Sequence, residues 1–267
     1  GDPRNFLQDS SGRQGETAPL LPLLPRVGQA PGCGMDGVND VTRAGEAGPA
    51  GGPGAGPIPL RELYRLLRAE LGEVEMWPAQ SGTEYVCGAV LVQNTAWGSV
   101  QRVLEDLRRA TAFDPARLLA LDEADLIDLI RPCGFMRAKA RALRAYASWV
   151  LSPAGTAAPG LDDAALRQAL LALPGFGPET ADVVALMAYD RPRFIFDAYG
   201  RRLLRQAGYE VGRRYEDARR AHEAAVKAAG FDTVELKDLH GLIILAGQHA
   251  RAAGGWEAYG PTIGIRA

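Results

Sequence analysis

Cysteine is scarce: the 267-residue chain has three, Cys33, Cys87 and Cys133, far apart and with no CxxC pair. That excludes a disulfide framework and leaves too few thiolates for a four-cysteine zinc or iron–sulfur site. A reducing, intracellular compartment is expected. Lysine is equally scarce, three residues against 27 arginines. Codon bias in a GC-rich coding sequence is the plainer reading of that preference. It still confines any Schiff-base chemistry, which needs an amine, to Lys139, Lys227 and Lys237. No apolar run of about 18 residues occurs, so no membrane-spanning helix is expected. The sequence does not start with the basic stretch and apolar core of a signal peptide. Excess positive charge is also missing: the formal net charge is −2, so no global basic field announces a nucleic acid. What is present, 47% hydrophobic and 23% charged residues, suits a soluble globular protein.

Residues 1–57 hold 13 of the 32 glycines and 8 of the 18 prolines. With few aromatics and no helical period, they cannot bury enough apolar surface to offset ordering entropy, and a flexible tail is expected. Its LPLLP run at 21–25 is at most a short docking segment. From Pro59 onward the spacing is helical, beginning with Leu60, Leu63, Leu66 and Leu67. Further amphipathic stretches run over 118–130, 136–151, 161–173, 178–189, 215–230 and 234–252, with a Pro/Gly/Ala loop at 152–160. Sustained two-residue alternation with hairpin turns is absent. The expectation is an all-α fold of about ten helices and no sheet.

The most informative segment is LPGFGPETADVV, 173–184. Two helices flank a tight turn with Gly175 and Gly177, where glycine permits positive φ and close approach of another backbone. Pro178 suits a first helical turn because its missing N–H would have no partner there. The free N–H groups and positive dipole end of that helix suit a phosphate, a contact that tracks a nucleic-acid backbone without reading its sequence. An ordinary helix–helix turn is the plainer alternative for a bare GxG; the full string LPGxGxxTA is far more specific.

That hairpin, FIFDAYGRRLLRQAG (194–208) and VLVQNTAW (90–97) together make the chain resemble the endonuclease III-like helix-hairpin-helix DNA glycosylases, from about Leu60 to about Gln248. The resemblance implies a two-lobed fold. A six-helix lobe (83–191) ends in the hairpin, and a second lobe combines 58–82 with 192–267. It implies a monomer acting on double-stranded DNA with a damaged base, in the cytoplasm at the nucleoid, with no membrane partner. Asp197, 18 residues after Glu179 as in the family, would stabilise the cationic sugar formed as the base leaves and activate water. It is equally suited to be a helix N-cap. Gln93 would fill the gap left by the extruded base, and Gly175, Phe176, Gly177, Glu179 and Thr180 would lie against DNA. Arg201 and Arg202 are the better phosphate candidates of an arginine-rich stretch whose other members, Arg205, Arg213, Arg214, Arg219 and Arg220, are expected mostly on solvated faces beside Glu216 and Asp217. Lys139 is expected at a phosphate or on a solvated helix face. The hairpin carbonyls are a candidate site for a monovalent cation, common in this motif family.

Two departures from endonuclease III stand out. Its strand-cleaving relatives carry lysine where this chain has Glu179, and a glutamate cannot form a Schiff base. Many relatives also end in a four-cysteine iron–sulfur loop, whereas Arg251 stands at the first cysteine position and no cysteine follows Cys133. A monofunctional enzyme without the cluster is expected. The combination GPETAD, FDAY, QNT followed by an aromatic, and an upstream Trp-Pro resembles the 3-methyladenine glycosylase III branch, in which two rings sandwich the damaged base. Trp77 and Trp97 match those positions, and a cationic alkylated purine stacks well between aromatic faces; burial of both in the core is the alternative. Removal of oxidised pyrimidines and damage binding without catalysis are the rival functions.

Overall fold

The computed structural model describes residues 56–74 and 79–266. The expected tail up to residue 55, its LPLLP run, Cys33 and Trp77 lie outside the described residues. Thirteen α-helices and no strand occur among the described residues. In order they are α1 (Leu60–Leu71), α2 (Gly82–Leu91), α3 (Trp97–Thr111), α4 (Pro115–Ala120), α5 (Glu123–Ile130), α6 (Met136–Leu151) and α7 (Pro153–Ala157). Then follow α8 (Asp163–Leu171), α9 (Pro178–Tyr189), α10 (Ala198–Gln206), α11 (Tyr215–Ala228), α12 (Thr233–Ala252) and α13 (Trp256–Tyr259). No described helix is long and apolar enough to cross a membrane.

The excess over ten comes from short helices. The stretch 118–130, read as one amphipathic run, is two. Asp114 caps α4 through the Arg117 N–H (2.9 Å), and the chain turns extended at Leu121 before α5 begins. The apolar period carries across the break because Leu118, Leu126 and Ile130 are buried in the same core. The expected loop at 152–160 contains α7, with Pro153 at its first position and Ser152 Oγ accepting the Gly155 N–H. A one-turn helix is too short to leave a period.

Two hydrophobic clusters organise the helices. One draws on α2 to α9, with Leu91, Leu107, Ile130, Leu143 and Leu170 fully buried. The other joins α1 to α10, α12 and the C-terminal segment through Leu63, Leu67, Phe196, Leu204 and Leu242. α9 lies between the two clusters and presents a different face to each. Val184 and Ala185 belong to the first cluster, and Leu186 and Met187 to the second.

Long-range capping ties the second cluster together. Arg61 of α1 donates to the carbonyls of Ala229 (2.7 Å) and Gly230 (2.6 Å), groups left over at the end of α11. Its guanidinium lies 4.2 Å from the centre of the Phe231 ring. Asp232 and Glu235 form a reciprocal cap at the start of α12. Beyond α12, Tyr259, Ile263 and Ile265 pack back into the cluster, and Gln206 Nε2 donates to the Ile265 carbonyl (3.2 Å).

Candidate active site and nucleic-acid interface

The hairpin between α8 and α9 is shaped by two glycines with different reasons. Gly175 has φ +83°, and a Cβ there would lie 2.8 Å from the Ala142 Cβ on α6. Both the backbone and the packing require it. Gly177 has φ −86°, which any residue adopts, and a Cβ there would meet nothing within 4 Å. It leaves open the approach to the start of α9, where no side chain caps the helix and Pro178 brings no N–H. The uncapped N–H groups are available to an external acceptor.

Two hairpin residues expected against DNA turn inward. Phe176 is 6% exposed, its ring stacked on Tyr146 at 6.1 Å and 12°. An aromatic in a tight turn gains more by burial than by exposure, so only its backbone is left for a partner. Thr180 is buried, and its hydroxyl accepts from Gln93 Nε2. This places Gln93, on the turn between α2 and α3, beside the start of α9.

Lys139 also differs from expectation: it is neither on a solvated face nor free for a phosphate. It is 6% exposed. Its ammonium donates to Leu91 O (2.9 Å), Gln93 O (2.8 Å), Thr95 Oγ1 (2.7 Å) and Cys133 O (2.7 Å). Leu91 O belongs to the last turn of α2, which has no basic residue of its own, so α6 supplies the cation that this helix end favours. Burial lowers the Lys139 pKa. The contact joins the Gln93 turn to the Cys133–Phe135 turn that opens α6, where Thr95 Oγ1 also reaches Cys133 O (2.6 Å). Asn94 (φ +52°) and Phe135 (φ +45°) hold left-handed conformations in the two turns.

Phe135 was not picked out from the sequence. It is 70% exposed. Its signal was an aromatic after Gly134 at a helix start, outside any apolar period. Trp97 opens α3 at 37% exposure and Val92 lies beside Gln93 at 40%. The face around the Gln93 turn is therefore unusually apolar.

Asp197 caps α10: Oδ1 accepts the Gly200 N–H at 2.7 Å. Only glycine fits at 200, since a Cβ there would lie 2.7 Å from the Ile195 carbonyl. Gly247 of α12 similarly makes room for the Tyr199 ring. Asp197 is 8% exposed. Burial raises its pKa from 3.8 to about 6, against the Gly200 and Tyr199 N–H groups and the charges of Arg201 and Arg202, which pull it down. Glu179, in the first turn of α9, has its pKa raised by burial and then by the charge of Asp197, with Arg201 opposing. The two carboxyls thus share an electrostatic neighbourhood with Arg201 between their influences. Arg201 is half-buried and donates to the Phe196 carbonyl (2.6 Å), so its guanidinium is partly committed. Arg202 is exposed, over the Tyr199 ring.

Behind the site, Arg167 of α8 is nearly buried against Asp182 of α9 (2.8 Å) and also bonds Glu216 of α11. Tyr215 donates to the same Asp182 (3.0 Å). Arg214 pairs with Asp217, and Arg219 with Glu216 and Glu223. Among the described residues no three His, Cys, Asp or Glu side chains converge as a metal site, and Cys87 and Cys133 are buried free thiols.

Residues 87–233 match the model of the HhH-GPD superfamily of base excision DNA repair proteins. A candidate DNA repair glycosylase of Methanocaldococcus jannaschii is 33% identical over 188 residues, 68% of this chain and 84% of that protein. Among solved structures, H. pylori 3-methyladenine DNA glycosylase bound to 1,N6-ethenoadenine is similar with a TM-score of 0.59 at 20% identity, covering 72% of this chain and 98% of that one. A non-covalent endonuclease III–DNA complex gives a TM-score of 0.58 at 21% identity, covering 71% and 85%. At such identities these structures speak for the helical fold.

Proposed function

The chain belongs to the HhH-GPD superfamily of base excision DNA repair proteins and is a DNA glycosylase; from that premise we propose that it is monofunctional and hydrolyses the N-glycosidic bond of a flipped alkylated purine such as 3-methyladenine. The observation that carries this reading is the carboxyl pair. Asp197 is fixed by the Gly200 N–H and nearly buried, and the hairpin residue that shares its surroundings is Glu179, not lysine. A carboxylate held in a dry site stabilises an adjacent cation better than one in water. With a pKa raised to about 6, it is ionised at neutral pH yet basic enough to take a proton from attacking water. An alkylated purine is already a good leaving group, so no strong acid is needed opposite. Glu179 offers no amine to attack the sugar, and Lys139 is committed to four oxygens.

In this reading the open start of α9 at Gly177 takes a backbone phosphate. Gln93 fills the space left by the extruded base, and Phe135 presses beside it. Trp97, at the start of α3, would offer an aromatic face to the base. The fold does not choose the lesion, since it resembles a 3-methyladenine glycosylase and endonuclease III to the same degree. The test uses duplexes that each carry one defined lesion, with and without alkali after incubation. Release of alkylated purine that yields strand breaks only after alkali is expected. Breaks without alkali, with a borohydride-trapped covalent complex, would refute the monofunctional reading.

A further inference from the structure

Resting on the reading of Gln93 as the residue that fills the duplex, we propose that Lys139 is the positioning residue of the DNA-opening edge. Its ammonium locks the Gln93 turn and the Phe135 turn into one two-pronged unit, so both prongs enter the helix in fixed register.

The residues joined come from separate parts of the chain. Leu91, Gln93 and Thr95 lie on the connection between α2 and α3, and Cys133 lies two residues before Phe135. One ammonium with three N–H groups is surrounded by four oxygens at 2.7–2.9 Å. Three are backbone carbonyls, so the turns are held by their main chain whatever their side chains do. Thr95 closes the ring by bonding Cys133 O directly.

Packing alone does not call for a charge here. Burying an ammonium is costly, and an apolar side chain of the same length would fill the volume without that cost. What such a side chain cannot do is bind the oxygens of two turns at once. The turns carry exposed groups, Phe135 and Val92, together with Gln93, and each contains a left-handed residue that its surroundings must maintain. A rigid support under groups that displace stacked bases is what preorganisation of a site requires. Lys139 touches neither the sugar nor Asp197 in this arrangement; it acts through the turns.

The test uses the full chain and a duplex with a tetrahydrofuran abasic analogue opposite 2-aminopurine, which brightens when it is unstacked. Wild-type protein is expected to bind and brighten it. Lys139→Met is expected to bind within about threefold of wild type, because phosphate contacts supply most of the affinity, but to lose the brightening. Thr95→Val, which removes one of the four oxygens and the direct link to Cys133, is expected to lose part of it. Circular dichroism and a cooperative melt establish that each variant is folded. Base release should fall about a hundredfold in Lys139→Met when the lesion faces its normal partner, and much less when it faces the abasic analogue, where little stacking has to be broken. A merely structural lysine would lower both alike.

Wild-type brightening by Lys139→Met at saturation overturns the proposal, as does a wild-type protein that never brightens the probe. Should Lys139→Met fail to fold, full brightening by Thr95→Val overturns it. If the wild type brightens the probe and Lys139→Met does not, while no lesion is excised, the glycosylase reading fails and the positioning role stands.

Discussion

Replacing Asp197 by asparagine should inactivate the protein and make it more stable. The carboxyl is 8% exposed, and its pKa rises from 3.8 in the unfolded chain to about 6 in the fold. A raised acid pKa means that the folded state binds the proton more tightly than the unfolded one. Stability therefore falls as pH rises through the interval between the two values, and the loss is complete above the folded pKa. The difference amounts to about 3 kcal/mol at neutral pH. Asparagine stays neutral and still accepts the Gly200 N–H as an N-cap, so Asp197→Asn should recover most of that amount. For a body of this size the gain corresponds to roughly 6–12 °C in Tm. The assay is a melting series from pH 4 to 8 on both proteins, with base release measured in parallel. The gap in Tm should be near zero at pH 4, open between pH 4 and 6, and be full at pH 7.5, while release by the variant is undetectable. A gap that does not change with pH, or a variant less stable than wild type at pH 7.5, would refute the argument that burial strains this carboxylate.

Three further substitutions test the architecture around it. Gly175→Ala places a Cβ 2.8 Å from Ala142 Cβ at φ +83° and should cost about 2–4 kcal/mol in urea unfolding. Gly177→Ala meets nothing within 4 Å and should leave stability within about 0.5 kcal/mol while weakening duplex binding; unchanged affinity would argue against phosphate approach at that position. Arg167→Met strands the buried Asp182 carboxylate and should cost about 3–5 kcal/mol, of which the double variant with Asp182→Asn recovers a large part.

The hairpin and the cap at Asp197 were legible in the sequence because local chemistry writes them. A positive-φ turn demands glycine at 175, and an N-cap favours aspartate at 197. The helices with long apolar stripes were legible for the same reason. Lys139 was not, because three of its four partners are backbone carbonyls and carbonyls have no sequence signature. Phe176 and Thr180 were misplaced by their position in a motif. The motif locates the turn but does not say which side chains face the core, and α6 supplies Tyr146 to receive the Phe176 ring. Arg167 passed unnoticed because its partners lie 15 and 49 residues away. The break between α4 and α5 was hidden by leucines that continue one apolar period into the same core.

Because α9 contributes to both hydrophobic clusters, it works as a calliper whose jaws are cast in one piece. On the reading proposed above its first turn would grip a strand, while one of its faces, through Leu186 and Met187, packs into the cluster that holds Phe196 next to Asp197. Neither jaw can slide without disturbing two interiors at once. On that reading the span between gripped phosphate and attacked sugar would be a constant of the protein, and the DNA would supply the adjustment. Discrimination would begin with how readily a nucleotide yields to a fixed gauge, before any contact with the base itself.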